Sequence, residues 1–417
     1  MQPKHRLWGR RRFLSGAAWL STSPTLLAAA GLERAAASPP GTKDNVYSRL
    51  GVPTYINALG TVTRLGGTIM PPEVVRAMDE AGQHFVPMAD LHEKVGERLA
   101  RLIGVEAATV TSGAAGAITQ GTAACVTRGD PDRMAQLPDT NGMPNQVIIQ
   151  KSHREAYEAQ IKLVGTRLVE VETTAQLEAA INSRTAMLFF INTFNPKGRI
   201  DRQTWAAMGK KHGVPTFNDA AADVPPKGRL SEYVRMGFDL VTFSGGKGLL
   251  GPQSSGLLLG RKDLVMAAKR CGSPWGGIGR GMKVGKEEMI GLLAAVERYL
   301  KIDHQAERRL LQSRVDTIAA DLASIPGVQA ETFIPEIANH VPHLSLEWDH
   351  ERIPITSAEA SGLLKQGNPP IETGGHHWMQ PNRQSPDNMQ GLTVSVWMLR
   401  PGEDRIVAER LKSLLAG

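Results

Sequence analysis

The sequence has little cysteine, few aromatic side chains and no Walker A motif. Only Cys125 and Cys271 occur among 417 residues, which excludes a zinc ribbon or an iron–sulfur cluster held by four cysteines. Buried lone thiols are favoured over a disulfide between them. Beyond the N-terminus, no stretch is long and apolar enough to span a membrane. The apolar fraction of 41% and the charged fraction of 21% are typical of a globular protein.

The charge of the chain is unevenly distributed. The formal net charge is +7 and the pI is near 9.4, values that suggest a polyanionic partner such as a nucleic acid. Residues 1–37, however, hold six basic side chains and one acidic side chain. That segment supplies +5, and the rest of the chain carries only +2. Because a nearly balanced body offers little to a polyanion, no nucleic-acid partner is expected.

The N-terminus has the features of an export signal. Its basic start ends in residues 10–14 (RRRFL), which resemble the twin-arginine signal. A modest apolar stretch follows to about residue 30, with alanine-rich sites suited to cleavage. We expect residues 1–37 to be a twin-arginine signal peptide with its linker and the mature protein to be periplasmic. No integral membrane segment is expected after cleavage.

From about residue 90, short apolar runs alternate with helical patterns. Strands are predicted over residues 107–111, 147–150, 168–171, 185–192, 214–218, 239–243 and 256–259. Continuous apolar strands separated by helices of 9–12 residues are typical of a mainly parallel sheet covered on both faces. The pattern predicts an α/β class and a three-layer large domain over residues 45–268, including an N-terminal arm.

The pattern changes after about residue 268. Helical spacing covers residues 286–302 and continues over 307–322, and two alternating strands follow at 343–347 and 392–396. A final helix is predicted over 403–415. Residues 269–417 are therefore predicted to form a smaller α+β domain.

The most informative segment is residues 238–256 (FDLVTFSGGKGLLGPQSSG). It places Lys247 after a predicted strand and between glycines, with Ser244 three residues earlier. Glycines let a bound group approach the backbone closely, and open N–H groups suit a phosphate. A sheltered lysine can lose its proton and form a Schiff base with a carbonyl group. The segment predicts pyridoxal 5′-phosphate (PLP) on Lys247.

PLP requires an acid partner and a phosphate-binding helix start. Asp219 ends a predicted strand 28 residues before Lys247, where a carboxylate would keep the pyridine nitrogen protonated. Ser112, Gly113 and Ala114 join a strand to a helix whose first amides are free for a phosphate. The order and spacing of these parts support the PLP prediction more strongly than any one part does.

Two other motifs carry weaker signals. Residues 277–281 (GIGRG) have glycines that suit a nucleotide, but no strand precedes them and no Rossmann unit surrounds them. His376 and His377 are adjacent within residues 374–378 (GGHHW), and histidine is a common metal ligand. Because the sequence shows no second ligand pair, no metal site is predicted there, and a loop near the cleft is favoured.

With these motifs in place, the chain resembles the fold-type-I PLP enzymes of the selenocysteine synthase-like group, which also contains D-glucosaminate-6-phosphate ammonia-lyase. The resemblance runs from about residue 46 to the C-terminus. Its most specific stretches are residues 56–67, 244–253 and 277–288, and the last of these is closer to the ammonia-lyase branch. The resemblance implies a PLP-dependent transferase fold of the aspartate aminotransferase type.

The resemblance also implies roles for individual residues. Lys247 matches the Schiff-base lysine and Asp219 the partner of the pyridine nitrogen. Phosphate-binding positions fall on Ser112, Gly113 and Ser244. His153 falls where a side chain stacks on the cofactor ring, and Asn195 falls where one bonds its phenolic oxygen. Arginine suits an anionic substrate, and the candidates are Arg400, Arg64 and Arg280.

The reaction implied is that of a PLP-dependent lyase or β-replacement enzyme on an amino acid or amino sugar acid. An aminotransferase, a selenium transferase and a non-catalytic binding protein on the same scaffold are the alternatives. Export argues against selenium transfer because charged seryl-tRNA is cytosolic, and the presence of both Lys247 and Asp219 counts against a non-catalytic protein. The expected partners are a small anionic amino compound and further copies of the chain, as a homodimer or larger oligomer.

Overall fold

The computed structural model describes residues 44–380 and 382–417. The predicted export signal therefore lies outside the described residues. The described residues fall into two units, divided after Val52. The first contains one short helix, α1 (Val46–Arg49), and the second runs from Pro53 to Gly417.

The second unit alternates strands and helices through most of its length. Its strands are β1 (Ile56–Ala58), β2 (Ala107–Ser112), β3 (Gln146–Gln150), β4 (Arg167–Val171), β5 (Thr185–Ile191), β6 (Thr216–Asp219), β7 (Leu240–Ser244), β8 (Ser255–Gly260), β9 (Val328–Phe333), β10 (His343–Asp349), β11 (Ile371–Thr373) and β12 (Met389–Ser395). Its helices are α2 (Pro72–Gly82), α3 (Met88–Ile103), α4 (Gly113–Thr127), α5 (Pro131–Gln136), α6 (Ala159–Lys162), α7 (Thr174–Ala180), α8 (Arg202–His212), α9 (Arg229–Met236), α10 (Lys262–Arg270), α11 (Lys286–Lys301), α12 (His304–Leu322), α13 (Ser357–Gln366) and α14 (Glu403–Leu415).

The central sheet has seven strands in the order β2-β8-β7-β6-β5-β3-β4. All neighbours are parallel except β8, which runs antiparallel to both β2 and β7. This mixed, mostly parallel sheet confirms the predicted α/β class. The parallel strands β5, β6 and β7 end side by side, because Ile191 pairs with Asp219 and Asp219 with Thr242. Ligands of open α/β sheets bind at this carboxyl edge.

Apolar side chains cover both faces of the central sheet. On one face, Ile148 and Leu188 join a cluster with residues of α3, α8 and α11. On the other face, Ile149 and Phe189 join a second cluster with residues of α4 and α10. Neighbouring residues of one strand thus enter opposite clusters, as strand geometry requires. The continuous apolar character of β5 follows from this burial on both sides.

The C-terminal part contains an antiparallel sheet in the order β12-β10-β9, packed on one side by α12 and α14. A separate parallel pair joins β1 to β11, so residues 56–58 from the start of the unit lie beside residues 371–373. The proposed boundary near residue 268 between a large and a small domain stays a prediction.

The apolar spacing predicts a single helix over residues 154–163, and this prediction is wrong. Residues 154–163 form two short helices, a 3₁₀ turn at Ala156–Glu158 followed by α6, because Glu155 is extended and its side chain accepts the Tyr157 N–H. The helices predicted over 286–302 and 307–322 are confirmed as α11 and α12. The second begins three residues earlier than predicted, because the Asp303 side chain accepts the N–H groups of Gln305 and Ala306. In the part of the chain that the structure describes, no helix is long and apolar enough to cross a membrane.

Candidate active site

Lys247 lies in the turn between β7 and β8, between two glycines whose backbones are tightly packed. A Cβ on Gly248 would lie 1.9 Å from the carbonyl oxygen of Val224, and one on Gly246 would lie 2.4 Å from Oε1 of Gln253. The Lys247 carbonyl accepts the N–H of Leu250 at 2.9 Å. These contacts leave the backbone of the turn no room to move. The half-buried Lys247 side chain therefore starts from a fixed backbone.

Asp219 lies at the end of β6, on the same edge of the sheet. Its carboxyl group is buried, and its Oδ1 accepts the N–H of Ala221 at 3.0 Å. Burial raises the pKa of Asp219, and the positive charge of Lys247 opposes this shift. The two charges are therefore close enough to interact, as a lysine and an acid flanking one cofactor must be.

A helix start completes the site. Ser112 is the N-cap of α4, yet its side chain makes no capping hydrogen bond, and the first residues of α4 are half-exposed. The amides of Gly113 and Ala114 therefore point from an uncapped helix end, where an anion binds favourably. Gly256 of β8 pairs with Thr111 on one side and with Ser244 on the other. Ser244 at the end of β7 is therefore separated by one strand, β8, from the end of β2, where α4 begins.

The residues present fit PLP. Lys247 offers an amine, Asp219 a buried carboxylate that accepts one backbone N–H, and α4 an open N-terminus for a phosphate. A Cβ at Gly113 would meet nothing within 4 Å, so there is open space at the helix start. PLP supplies the electron sink for cleavage of a bond at the substrate α-carbon.

His153 is fully buried in a 3₁₀ turn after β3. Its Nδ1 accepts the N–H of Ile191 at 3.2 Å, and its ring meets that of Phe190 edge-on at 4.6 Å between centroids. Burial lowers the pKa of His153 to about 4, so the ring is neutral. Stacking of His153 on the cofactor stays a prediction. One side of the ring is already packed against Phe190.

Asn195 lies in the 3₁₀ helix after β5, and its Oδ1 accepts the N–H of Arg202 at 3.1 Å. Its contact with a phenolic oxygen stays a prediction. The neighbouring Asn192 is fully buried and donates to Asp223 and to the Tyr233 hydroxyl. Burial raises the pKa of Asp223 to about 6. Sequence reasoning missed this network, which supports the chain just after Asp219.

Glu155 is a second residue that sequence reasoning missed. It is half-buried after β3, and burial raises its pKa to about 7, helped by the negative charge of Asp219 and opposed by Lys247. A carboxyl group that exchanges protons near neutral pH and interacts electrostatically with Lys247 is suited to acid–base work. Its signal in the sequence was weak, because a single Glu in a polar segment resembles a surface residue.

The three candidate arginines are not equivalent. Arg64 donates to Glu372 at 2.8 Å and lies three residues before Gly67, where a Cβ would lie 2.7 Å from the Gly246 carbonyl oxygen. Arg400 is exposed and follows Trp397, which reaches to within 3.2 Å of the Cβ position of Gly248. Both chain segments thus reach the Lys247 turn. Arg280 is exposed on a loop that packs on Gln120 of α4.

Both cysteines are free and buried. Burial raises the pKa of each thiol to about 12, so neither is reactive at neutral pH. The prediction of buried lone thiols is confirmed.

Comparison with known proteins places this geometry in a family. The model of the SelA family, L-seryl-tRNA selenium transferase, matches residues 157–331. D-glucosaminate-6-phosphate ammonia lyase of Salmonella typhimurium is 33% identical over 334 residues, which cover 78% of this chain and 87% of that protein. The 5′-C-glycyluridine monooxygenase-decarboxylase of a Streptomyces species is also 33% identical, over 90% of this chain and 93% of that protein.

Solved structures agree with the sequence comparisons. A structure of D-glucosaminate-6-phosphate ammonia-lyase superposes with a TM-score of 0.76 at 29% identity, covering 90% of this chain and 99% of that one. Serine palmitoyltransferase of Sphingomonas wittichii superposes with a TM-score of 0.54 at 14% identity over 86% of both chains, which shows the shared fold alone. The predicted fold, enzymatic character and PLP cofactor are confirmed. The chain belongs to the SelA-like family of PLP-dependent enzymes that includes D-glucosaminate-6-phosphate ammonia lyase.

Proposed function

We propose that this protein is a PLP-dependent lyase that releases ammonia from an amino sugar acid or a related anionic amino acid. The observation that carries the proposal is the match to D-glucosaminate-6-phosphate ammonia lyase, at 33% identity over 87% of that protein. The half-buried Lys247, the buried Asp219 and the open start of α4 supply the residues that such a reaction needs.

Proton transfer is assigned to two side chains. Lys247 Nζ would hold the cofactor and, when free, would take the proton from the substrate α-carbon. Glu155, with a pKa of about 7, is half protonated near neutral pH and gives a proton to the leaving group on the β-carbon. Asp219 would hold the pyridine nitrogen of PLP and favour its protonated form, which makes the ring a better electron sink.

The substrate anion is assigned to the arginine side of the site. Arg64 and Arg400 lie on segments that touch the Lys247 turn through Gly67 and Trp397. A guanidinium group matches a carboxylate or phosphate with two parallel hydrogen bonds. Arg64 is mostly exposed although it contacts Glu372, so its head can turn toward a ligand. Arg280 is kept as the third candidate.

The test begins with the absorbance of the PLP-loaded protein. A near-visible band is expected for wild type and for the surface control Lys210→Ala, and Lys247→Ala should lose it. Ammonia release from amino acids and amino sugar acids, with and without a phosphate group, is then assayed without an added keto acid. Ammonia formed under these conditions supports the lyase. Strict dependence on a keto acid would instead identify an aminotransferase and refute the proposal.

Oxidative decarboxylation is the second candidate, because the monooxygenase-decarboxylase relative is equally similar and covers more of the chain. An oxygen electrode separates the two reactions. Oxygen uptake in step with carbon dioxide release identifies the second candidate, while ammonia release without oxygen uptake supports elimination. Selenium transfer is disfavoured, because the match to the Aquifex aeolicus enzyme is 25% identical and covers 53% of it, and because the body of the chain carries little positive charge.

We also propose export by the twin-arginine route to the periplasm. The support is the RRRFL run at residues 10–14 and the weakly apolar stretch after it. Replacing Arg10, Arg11 and Arg12 by lysine in the full chain should retain the protein in the cytoplasm. Equal amounts of wild type and variant in the periplasmic fraction would contradict the proposal.

A homodimer or larger oligomer is proposed as the working assembly. The support is the family resemblance together with an exposed apolar segment, in which Phe85 is fully exposed and Val86 is 40% exposed. Light scattering of the purified protein tests the assembly directly. Phe85→Ser should weaken it, whereas the exposed control Leu363→Ser should leave the mass unchanged. A monomeric wild type would refute it.

A further inference from the structure

A polar cluster lies on the side of the β9–β10–β12 sheet that faces away from α12 and α14. Leu346 and Trp348 of β10 point into the apolar cluster with those helices, so Glu347 between them points to the other face. Residues 374–380 cover that face, and a Cβ on Gly391 of β12 would lie 2.5 Å from Cδ2 of His376. Glu347 is 3% exposed.

Two imidazole nitrogens converge on one oxygen of this buried carboxylate. Nε2 of His376 lies 3.0 Å from Glu347 Oε1, and Nε2 of His377 lies 2.8 Å from the same atom. The two rings are 3.8 Å apart between centroids. Arg383 binds the other carboxylate oxygen, Oε2, at 2.9 Å. The three ligand-type atoms lie within 4.8 Å of one another.

Hydrogen bonding alone describes this cluster poorly. The Ser385 hydroxyl is also 2.5 Å from Glu347 Oε1, so three donor groups crowd one oxygen atom. Nε2 of His377 lies 2.9 Å from Ser385 Oγ as well. The cluster is not a Ser–His–Glu relay, because such a relay uses the two different nitrogens of the imidazole ring. A metal cation placed between the two Nε2 atoms and Glu347 Oε1 would bind all three atoms and remove the competition for one oxygen.

We propose that Glu347 Oε1 and the Nε2 atoms of His376 and His377 bind one divalent transition-metal ion of the zinc class. Two imidazoles and a carboxylate are ligands that zinc prefers, with bonds of about 2.0–2.2 Å. In a tetrahedral site, ligand atoms then stand about 3.3 Å apart. The observed 2.8 and 3.0 Å spacings reach that value through movements of a few tenths of an ångström.

The neighbours of the cluster suit such a site. Arg383 holds Oε2 and so leaves Oε1 for the ion, as outer partners of metal ligands do. Ser385 Oγ contacts two of the three ligand atoms, so this hydroxyl or a water would complete a four-coordinate site. His377 has a φ of +54°, an uncommon left-handed conformation for a residue with a side chain. This turn aims the second imidazole at the atom that the first one already contacts.

The ion would also fix a segment that reaches the cofactor side of the molecule. Met379 lies two residues after His377, and its Cε is 3.4 Å from the Cβ position of Gly60. The chain from Gly60 runs on to Gly67, which packs on the Lys247 turn. Metal binding is nevertheless inferred from the cluster alone and does not depend on the reaction proposed above.

The experiment uses tag-free, PLP-loaded protein treated with a chelator and then dialysed against Co²⁺. We expect one Co²⁺ per chain and a visible d–d absorption at longer wavelength than the cofactor band, displaced by one equivalent of Zn²⁺. Glu347→Gln and His377→Ala should lower Co²⁺ affinity at least tenfold, because loss of an outer partner of a ligand alone costs about 10–100-fold. His212→Ala is the control, because His212 also lies near a carboxylate, 3.6 Å from Glu178, but without a second imidazole.

The cofactor band serves as the check that each variant is folded. A second readout is the thermal midpoint, which Zn²⁺ should raise in wild type and in His212→Ala but not in Glu347→Gln. The proposal is overturned if wild type binds no Co²⁺, or if a folded Glu347→Gln variant binds it as tightly as wild type does.

Discussion

Replacing Asp219 by Asn tests the site with effects of opposite sign in the cofactor-free and PLP-loaded protein. The Asp219 carboxylate is buried, its Oδ1 accepts one backbone N–H, and burial raises its pKa. Without a cofactor, that charge is compensated mainly by Lys247. The neutral amide has the same shape and removes the charge, so the cofactor-free variant should be as stable as wild type or more stable.

With PLP bound, the same substitution should be harmful. Removing the carboxylate would remove the charge-assisted hydrogen bond expected between it and the pyridine nitrogen, which is worth about 1.5–3 kcal/mol. At about 1.4 kcal/mol per factor of ten, PLP should bind about tenfold to 150-fold more weakly. The gain in thermal midpoint on adding PLP should shrink accordingly.

The assay is a PLP titration followed by near-visible absorbance, together with thermal unfolding with and without PLP. Asp139→Asn is a matched control, because Asp139 also accepts the N–H two residues later at 3.0 Å but is exposed. Unchanged PLP affinity in Asp219→Asn would refute the assigned role. Equal destabilisation with and without PLP would show that Asp219 only supports the backbone.

Three further predictions concern packing, acid stability and catalysis. Gly256→Ala places a Cβ 2.3 Å from the backbone at the start of α4, so it should lower the free energy of unfolding by about 1–3 kcal/mol and weaken PLP binding. Gly362→Ala, in the open face of α13, should raise that free energy by roughly 0.5–1 kcal/mol. Urea unfolding measures both, and equal effects would contradict the packing argument. Burial lowers the pKa of His343 from 6.5 to about 4. The contribution of the neutral ring to stability is therefore intact above pH 6.5 and falls by about 3 kcal/mol toward pH 4. His343→Gln should flatten this part of the pH dependence of unfolding, and an unchanged slope would contradict the assignment to His343. Glu155→Gln should remove the limb near pH 7 from the pH profile of ammonia release, while the exposed Glu172→Gln keeps it; a retained limb would exclude Glu155 as the titrating group.

The sequence predicts elements well where a single periodicity persists. The helix Glu403–Leu415 has the predicted bounds, because its buried residues Val407, Leu411 and Leu415 recur at helical spacing. The end of the strand that carries Asp219 and the end of the strand that precedes Lys247 were also predicted to within one residue, since apolar runs stop where the chain leaves the core. The PLP prediction depended on these positions, on the glycines around Lys247 and on the strand-to-helix junction at residues 112–114.

Other features depend on contacts between distant segments. An apolar run such as β8 shows that a strand is buried but not that it runs antiparallel to both neighbours. The pairing of β1 with β11 left no local signal in its three residues. Glu155 and Glu347 resemble surface carboxylates in the sequence, and only folding places the first near Lys247 and the second under two histidines.

The β1–β11 pair sets a limit on when the molecule can finish folding. Ile56 pairs with Ile371, a separation of 315 residues along the chain. At about 5–20 residues per second, a ribosome needs roughly 15–60 s to make the partner strand after the first has emerged. Until then, the segment carrying Arg64 cannot dock beside Glu372. The twin-arginine route proposed above accepts chains only after folding, so it would leave time for the β1–β11 pair to form before export.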